Sequence, residues 1–450
     1  MSDATALAAA IAAGQVTPCR AMAASRARAA EVPGAVVRLM DEDRAMAEAE
    51  AAKGAIFGGV PFLAKDLGAT ARGLGNAAGC PALRRRVADP ERDSDLFERF
   101  RASGLVPFGL TTVPEFGLAF GSEPRAVAPA VNPFDPTRTA GGSSGGAALA
   151  VAAGVVAMAH ATDAAGSIRV PAACCGLWGL KPSRGVTPMG PEFGNHLAGL
   201  GTELVLARSL RDVATSLALV NRNAGLHARL KRKAQPESAR VTLCLPRDCC
   251  DAEAIAAREA AEALAGVGCE ITEVAAPERL GARADRVSRL ILTVALAEWV
   301  DSGGLKDCEL TPLVAAVAAE GRALSPVSVL AATREIARIT HEAASLFAAA
   351  DALLMPVMAG PPPSLGHFPD GETDPARHFA RMTAMAPLAT LANVAALPAL
   401  AFPAAMRDGL PVGAQLVGQA GHDAELLDIA APLAHHVIVP YPAPIAGMPA

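Results

Sequence analysis

Aromatic side chains are scarce in this chain: 4% of its residues, with one tyrosine and two tryptophans. A core built without them must come from small aliphatic side chains packed closely. Charge is sparse as well, at 19%, against 52% hydrophobic residues, which excludes bulk disorder. The net charge is −5 and no long basic block occurs. That argues against a nucleic-acid partner. The densest cationic run, "RLKRK" from Arg229 to Lys233, reads as a solvated loop. The apolar run Ala147 to Ala159 has 13 residues and stops at His160, short of the roughly 20 that a bilayer helix needs. No membrane partner is expected. The opening "MSDATALAAAIAAGQV" carries Asp3 and lacks the basic start of a secretory signal. Nine cysteines form no C-x-x-C, and Cys174-Cys175 and Cys249-Cys250 are adjacent pairs. An odd count in this pattern suits neither a disulfide framework nor a tetrahedral zinc site. The expectation is buried free thiols in a reducing cytoplasm, with no metal and no cofactor.

What is present is an alternation of strands and helices. At 450 residues the chain has room for two or three average domains or one large α/β domain. The first fifty residues are Ala-rich with Arg and Glu at helical spacing, and break at "EVPG". Val60 to Ala64 is a short apolar strand ending at Lys65-Asp66. "DSDLFERFRASGLVPFGLTT" is a helix then a strand, and "RVTLCLPRD" begins a strand-helix-strand unit. "DALLMPV", "PALAFPAAM" and "PVGAQLVG" add three strands near the end. This pattern argues for an α/β fold with a central, largely parallel sheet. Residues 236–347 are the more helical part.

The stretch "AGGSSGGAALAVAAG", Ala140 to Gly154, has three readings. A flexible linker fits its composition, but a linker does not open straight into an apolar helix. A phosphate loop fails for want of the G-K-[ST] ending. A G-x-S-x-G elbow is present literally at Gly141, Ser143 and Gly145, yet Pro133 and Pro136 precede it where a central strand is needed. No downstream histidine stands in a distinctive context.

A better partner lies 24 residues on, where Ser167 ends the small-residue turn Ala164-Ala165-Gly166. Such a turn can aim successive backbone N–H groups at one oxyanion. Its serine needs a base. A buried lysine can be neutral and serve, and a second serine can relay the proton. Lys65 and Ser143 are placed for those two roles.

Four stretches together resemble the amidase signature family of serine hydrolases: "GGVPFLAKD", "VNPFDPTRTAGGSSGGAALAVAAG", "ATDAAGSIRVPAACCGLWGLKPSRG" and "LPVGAQLVGQAGHDAELL". The likeness runs nearly end to end. It implies one amidase signature domain over residues 1–450, with a large mixed central sheet covered by helices on both faces. By the resemblance, Ser167 is the nucleophile, Ser143 the bridging serine after a cis peptide bond, and Lys65 the general base. The backbone of Ala164, Ala165, Gly166 and Ser167 forms the oxyanion hole. Asp163 and Arg169 form a supporting ion pair around the turn. The implied activity is hydrolysis of a small-molecule carboxamide to carboxylate plus ammonia or amine, with a homodimer as the family expectation. Departures are Ala165 for the first of two glycines, Ala140 for proline and Leu110 for lysine. An alanine at 165 is strained only if its φ is positive.

Two alternatives stand beside this reading. One is the catalytic subunit of a tRNA-dependent amidotransferase, which characteristically has "GGSIRQP" where this chain has "AGSIRVP", so that Val170 favours the free amidase. The other is a non-catalytic relative spoiled by Ala165, against which Lys65, Ser143 and Ser167 all argue. The low aromatic content hints that stacking is not the main device for specificity.

Overall fold

The computed structural model describes residues 2–190, 196–221 and 238–449. The basic run at 229–233 lies outside the described residues. Eleven strands form one sheet: β1 (Val36–Leu39), β2 (Val60–Lys65), β3 (Leu105–Thr111), β4 (Met158–Asp163), β5 (Trp178–Lys181), β6 (Thr202–Ala207), β7 (Arg240–Leu245), β8 (Glu270–Ala275), β9 (Ala352–Pro356), β10 (Ala399–Arg407) and β11 (Leu410–Gly418). Their order is β1-β3-β2-β4-β6-β5-β10-β11-β9-β7-β8.

The sheet is mixed, not largely parallel. β2 runs parallel to β3 and β4, and β7 runs parallel to β8 and β9. The other pairings, including β4 with β6 and β10 with β11, are antiparallel. Alternation of strands and helices suggests crossovers, but a two-residue turn reverses the chain between β10 and β11. Asp408 and Gly409 both take positive φ there, 49° and 79°, the geometry that an Asp-Gly hairpin favours. The first fifty residues hold the helices Ala4–Ala12 and Pro18–Glu31 and the start of Glu42–Ala51, with one edge strand, β1, among them. Between 238 and 347 the helices Glu278–Ser302, Pro312–Ala323 and Pro326–Ala344 predominate, while β7 and β8 extend the main sheet. Among the described residues no single helix is long and apolar enough to cross a membrane.

Every residue of β2, β3, β4 and β6 is buried. Strands buried on both faces need helices on both sides. The cover is built from small residues, as the composition requires. All eight residues of the helix Gly145–Ala152 are buried. The nine cysteines are free thiols; five are buried, while Cys250 and Cys308 are exposed and Cys19 and Cys249 half-buried.

A close approach beside the candidate site lies at the start of the helix Gly145–Ala152. A Cβ on Gly146 would stand 2.3 Å from the backbone nitrogen of Thr112 and 2.6 Å from its oxygen. Gly146 also donates its N–H to that oxygen at 3.1 Å. The glycine therefore lets the helix lie directly on the end of β3, beside the turn that carries Ser143. Gly146→Ala must push the two apart, and overpacking of this kind costs about 1–3 kcal/mol. A lower midpoint in chemical denaturation is the expected result, and an unchanged midpoint would contradict it.

Candidate active site

Lys65 is the last residue of β2 and is fully buried. β2 pairs in parallel with β4 at Leu63 and Ala159. Strand alternation puts His160 and Thr162 on one face of β4, and both hold Lys65. Its Nζ lies 2.8 Å from Thr162 Oγ1 and 2.8 Å from Ser143 Oγ. Its backbone N–H donates to His160 Nδ1 at 3.2 Å, and the other ring nitrogen of His160 lies 2.7 Å from Glu203. With Nδ1 accepting, Nε2 carries the proton and donates to the carboxylate. Glu203 also accepts the N–H of Ala69 at 3.0 Å. The chain is thus anchored on either side of the lysine.

Burial dominates the protonation of Lys65 and lowers its pKa to about 7; the charges of Glu203 and Asp163 oppose the fall. An ammonium is held here by two hydroxyls, with no carboxylate in contact among the described residues. That is the environment in which a lysine amine becomes a base near neutral pH.

Ser143 follows a cis peptide bond from Gly142. Gly141, at φ 85°, supplies the left-handed backbone that leads into it. The Ser122 hydroxyl lies 3.2 Å from the carbonyl oxygens of both Gly141 and Ser143, and accepts the N–H of Gly145 at 3.0 Å. Ser144 turns away and bonds the Thr162 carbonyl at 3.3 Å. Ala140 donates its N–H to Ala130 at 3.0 Å, a bond that a proline could not make.

Ser167 stands in the turn after β4. Asp163 and Arg169 bracket this turn as an ion pair, with two contacts of 3.0 Å between fully buried groups. Arg169 reaches further, to Gln415 at 3.1 Å, the Ala389 carbonyl at 2.9 Å and Asn393 at 2.8 Å. Asn393 returns two bonds to Asp163, each 2.9 Å. Burial opposes the ionisation of Asp163, but Arg169 outweighs it and holds the carboxyl at about 2.

The turn divides its donors. The Gly166 N–H is given to Asp163 at 2.8 Å, so it does not join a four-donor oxyanion hole. The N–H groups of Ala164, Ala165 and Ser167 have no acceptor among the described residues. Gly166, at φ 134°, is the residue of this turn that takes positive φ; Ala165 does not. Alanine at 165 is therefore unstrained.

Ser143, Thr162, Ala164, Ala165 and Ser167 line one cavity, whose empty space counted out to solvent is about 650 Å³. The rest of its wall is apolar, with Leu67, Leu118, Phe116, Trp299, Phe379 and Met382 among the lining. Phe116 and Trp299 meet edge to face, 5.1 Å between centroids. Aromatics are few in the chain, but Phe116, Trp299 and Phe379 all line this cavity. Trp178 is in the core, stacked on Phe402. Glu115 lies outside this cavity and accepts the Thr311 N–H at 2.9 Å. Sequence reasoning missed His160, Thr162, Glu203, Ser122, Asn393 and Gln415. For His160 and Thr162 there was a signal: polar residues two apart, alternating with Met158, Ala159 and Ala161 along β4.

The Amidase family model matches residues 20–427. The chain belongs to the amidase signature family. Among its relatives is the 6-aminohexanoate-cyclic-dimer hydrolase of Pseudomonas sp. (strain NK87), 32% identical over 96% of this chain and 94% of that one. A glutamyl-tRNA(Gln) amidotransferase subunit of Thermus thermophilus is also 32% identical, over 93% of each chain. A solved structure of 6-aminohexanoate cyclic dimer hydrolase complexed with substrate superposes with a TM-score of 0.89 at 29% identity, covering 98% of this chain and 97% of that one. This chain is accordingly an amidase, a hydrolase of carbon–nitrogen amide bonds.

In this amidase the Asp163–Arg169 pair is sealed from water. Asp163→Ala would leave Arg169 buried without its counter-ion, a change that costs about 3–5 kcal/mol. The expected result is a large drop in the denaturation midpoint. A variant as stable as the parent would show that the pair does not hold the turn.

Proposed function

We propose that the chain hydrolyses a carboxamide through an acyl-enzyme on Ser167, with Ser143 as proton bridge and Lys65 as general base. The observation that carries the reading is the 2.8 Å contact between Lys65 Nζ and Ser143 Oγ in the cavity that Ser167 also lines. A lysine with pKa about 7 is substantially neutral at physiological pH.

The steps follow from that. Ser167 Oγ attacks the amide carbonyl carbon, passing its proton to Ser143 Oγ while Ser143 passes its own to Lys65 Nζ. The tetrahedral oxyanion forms within reach of the N–H groups of Ala164, Ala165 and Ser167. The ammonium of Lys65 then returns a proton through Ser143 to the leaving nitrogen. The carbon–nitrogen bond breaks, and ammonia or amine departs. Water, deprotonated by the same relay, attacks the Ser167 ester; the carboxylic acid leaves and Ser167 regains its proton. Asp163 and Arg169 hold the turn and transfer no proton. The family resemblance supports three further parts of the reading: one domain over 1–450, a small-molecule amide as partner, and a cytoplasmic homodimer.

The second reading, a component of a tRNA-dependent amidotransferase, is favoured by the 32% identity to the Thermus thermophilus amidotransferase chain. It requires partner subunits that co-purify with the chain, and Val170 in place of glutamine weighs against it.

A fluorophosphonate probe tests the main reading. Labelling is expected at Ser167, at a rate that climbs as pH rises through about 7, where Lys65 loses its proton. Lys65→Ala should slow labelling about a hundredfold or more and remove that pH dependence. Labelling at Ser143 instead would overturn the assignment in favour of a G-x-S-x-G elbow.

A further inference from the structure

The cavity at Ser167 has a neighbour beside its apolar wall. A second, more open chamber of about 1010 Å³, counted out to solvent, shares Ala165, Leu292, Phe379 and Met382 with it. Ala165 of the Ser167 turn lines both chambers, so the two adjoin at that turn, with Leu292, Phe379 and Met382 common to their walls. The lining of the second chamber is mostly apolar, and its polar side chains include Asp285.

Asp285 is an unusual group to find there. It projects from the helix Glu278–Ser302 and is half-buried. Thr390 donates its hydroxyl to Oδ1, and the hydroxyl of Thr383 also supports the carboxylate. Among the described residues no lysine or arginine forms an ion pair with it. The two arginines in the same lining do not fill that role. Arg289 is bound to Glu320, with contacts of 2.8 and 3.0 Å, and lies over the Phe379 ring. Arg286 is exposed. A carboxylate drawn out of water without a cation costs free energy, and a ligand that supplies the cation recovers it. Two hydroxyls leave lone pairs on the carboxylate still able to accept.

We infer that Asp285 is a specificity-determining residue that binds a primary ammonium group of the substrate, so that the preferred substrates are amides carrying an amine separated from the scissile bond by a hydrocarbon spacer. The spacer lies along Leu292, Phe379 and Met382; the scissile carbonyl lies at Ser167. The inference rests on the acyl-enzyme reading above and adds the substrate class.

The test uses the full-length enzyme and two matched series of amides of graded chain length, one varied on the acyl side and one on the amine side. Each series compares a terminal ammonium with a methyl and with a carboxylate. In one series the ammonium substrate should exceed its methyl counterpart in kcat/KM by about ten- to hundredfold, the worth of a charge-assisted hydrogen bond. Asp285→Asn should bring that ratio near one, and Asp285→Glu should restore part of it. The readout is a ratio within one enzyme sample, so loss of folded protein cancels. Equal kcat/KM across ammonium and methyl substrates in both series, with Ser167 labelled normally by a fluorophosphonate, overturns this inference alone. So does a preference that survives in Asp285→Asn, or a preference for the carboxylate, which would assign the chamber to Arg286. An enzyme that is labelled elsewhere than at Ser167 overturns the reading beneath and this inference with it.

Discussion

The structure depends on one buried lysine. Lys65 Nζ is sealed in the sheet against two hydroxyls, and the carboxylates that would normally keep it charged stand further off. Burial removes the solvation that stabilises the ammonium. Glu203 and Asp163 restrain the fall without cancelling it. Each of these two acids is occupied with another partner: Glu203 with His160 and the Ala69 backbone, Asp163 with Arg169 and Asn393. Were either to contact Lys65 directly, the amine would stay protonated and could accept nothing.

That arrangement explains several features of the fold together. The lysine must be dry, so the strands around it are buried on both faces. It must meet a serine from a distant loop, so the helix behind Ser143 begins with glycines that let it lie against β3. The turn that carries Ser167 is held by a buried ion pair, which takes its carboxylate from one end of the turn and its guanidinium from the other. Gly166 gives its N–H to Asp163 of that pair, and the proposed oxyanion site draws on the donors that remain.

The site was partly legible in the sequence for a physical reason. Lys65, Ser143 and Ser167 each sit in a local context that marks them: a strand end, a glycine-rich turn before an apolar helix, and a turn of small residues. Their partners carry no such mark. Glu203 meets Ala69 across 134 residues, Arg169 meets Gln415 across 246, and neither contact has a local signature. The strands were legible as apolar runs, but not their directions, because direction depends on how far each connection travels. The Asp408-Gly409 turn is the exception, a local hairpin signal lying between two apolar runs. Phe116, Trp299 and Phe379 come from three distant elements, so counting aromatics could not reveal that they share one cavity.

The central claim is that Lys65 is a base because it is neutral near physiological pH. The direct test is NMR titration of ¹³Cε-labelled lysines, with the Lys65 signal assigned by its loss in Lys65→Arg. The account predicts a midpoint at about 7. It also predicts a lower midpoint in Glu203→Gln, since removing that negative charge removes a force that favours the ammonium. A Lys65 signal that titrates near the ordinary lysine value, about 10.4, would contradict the account.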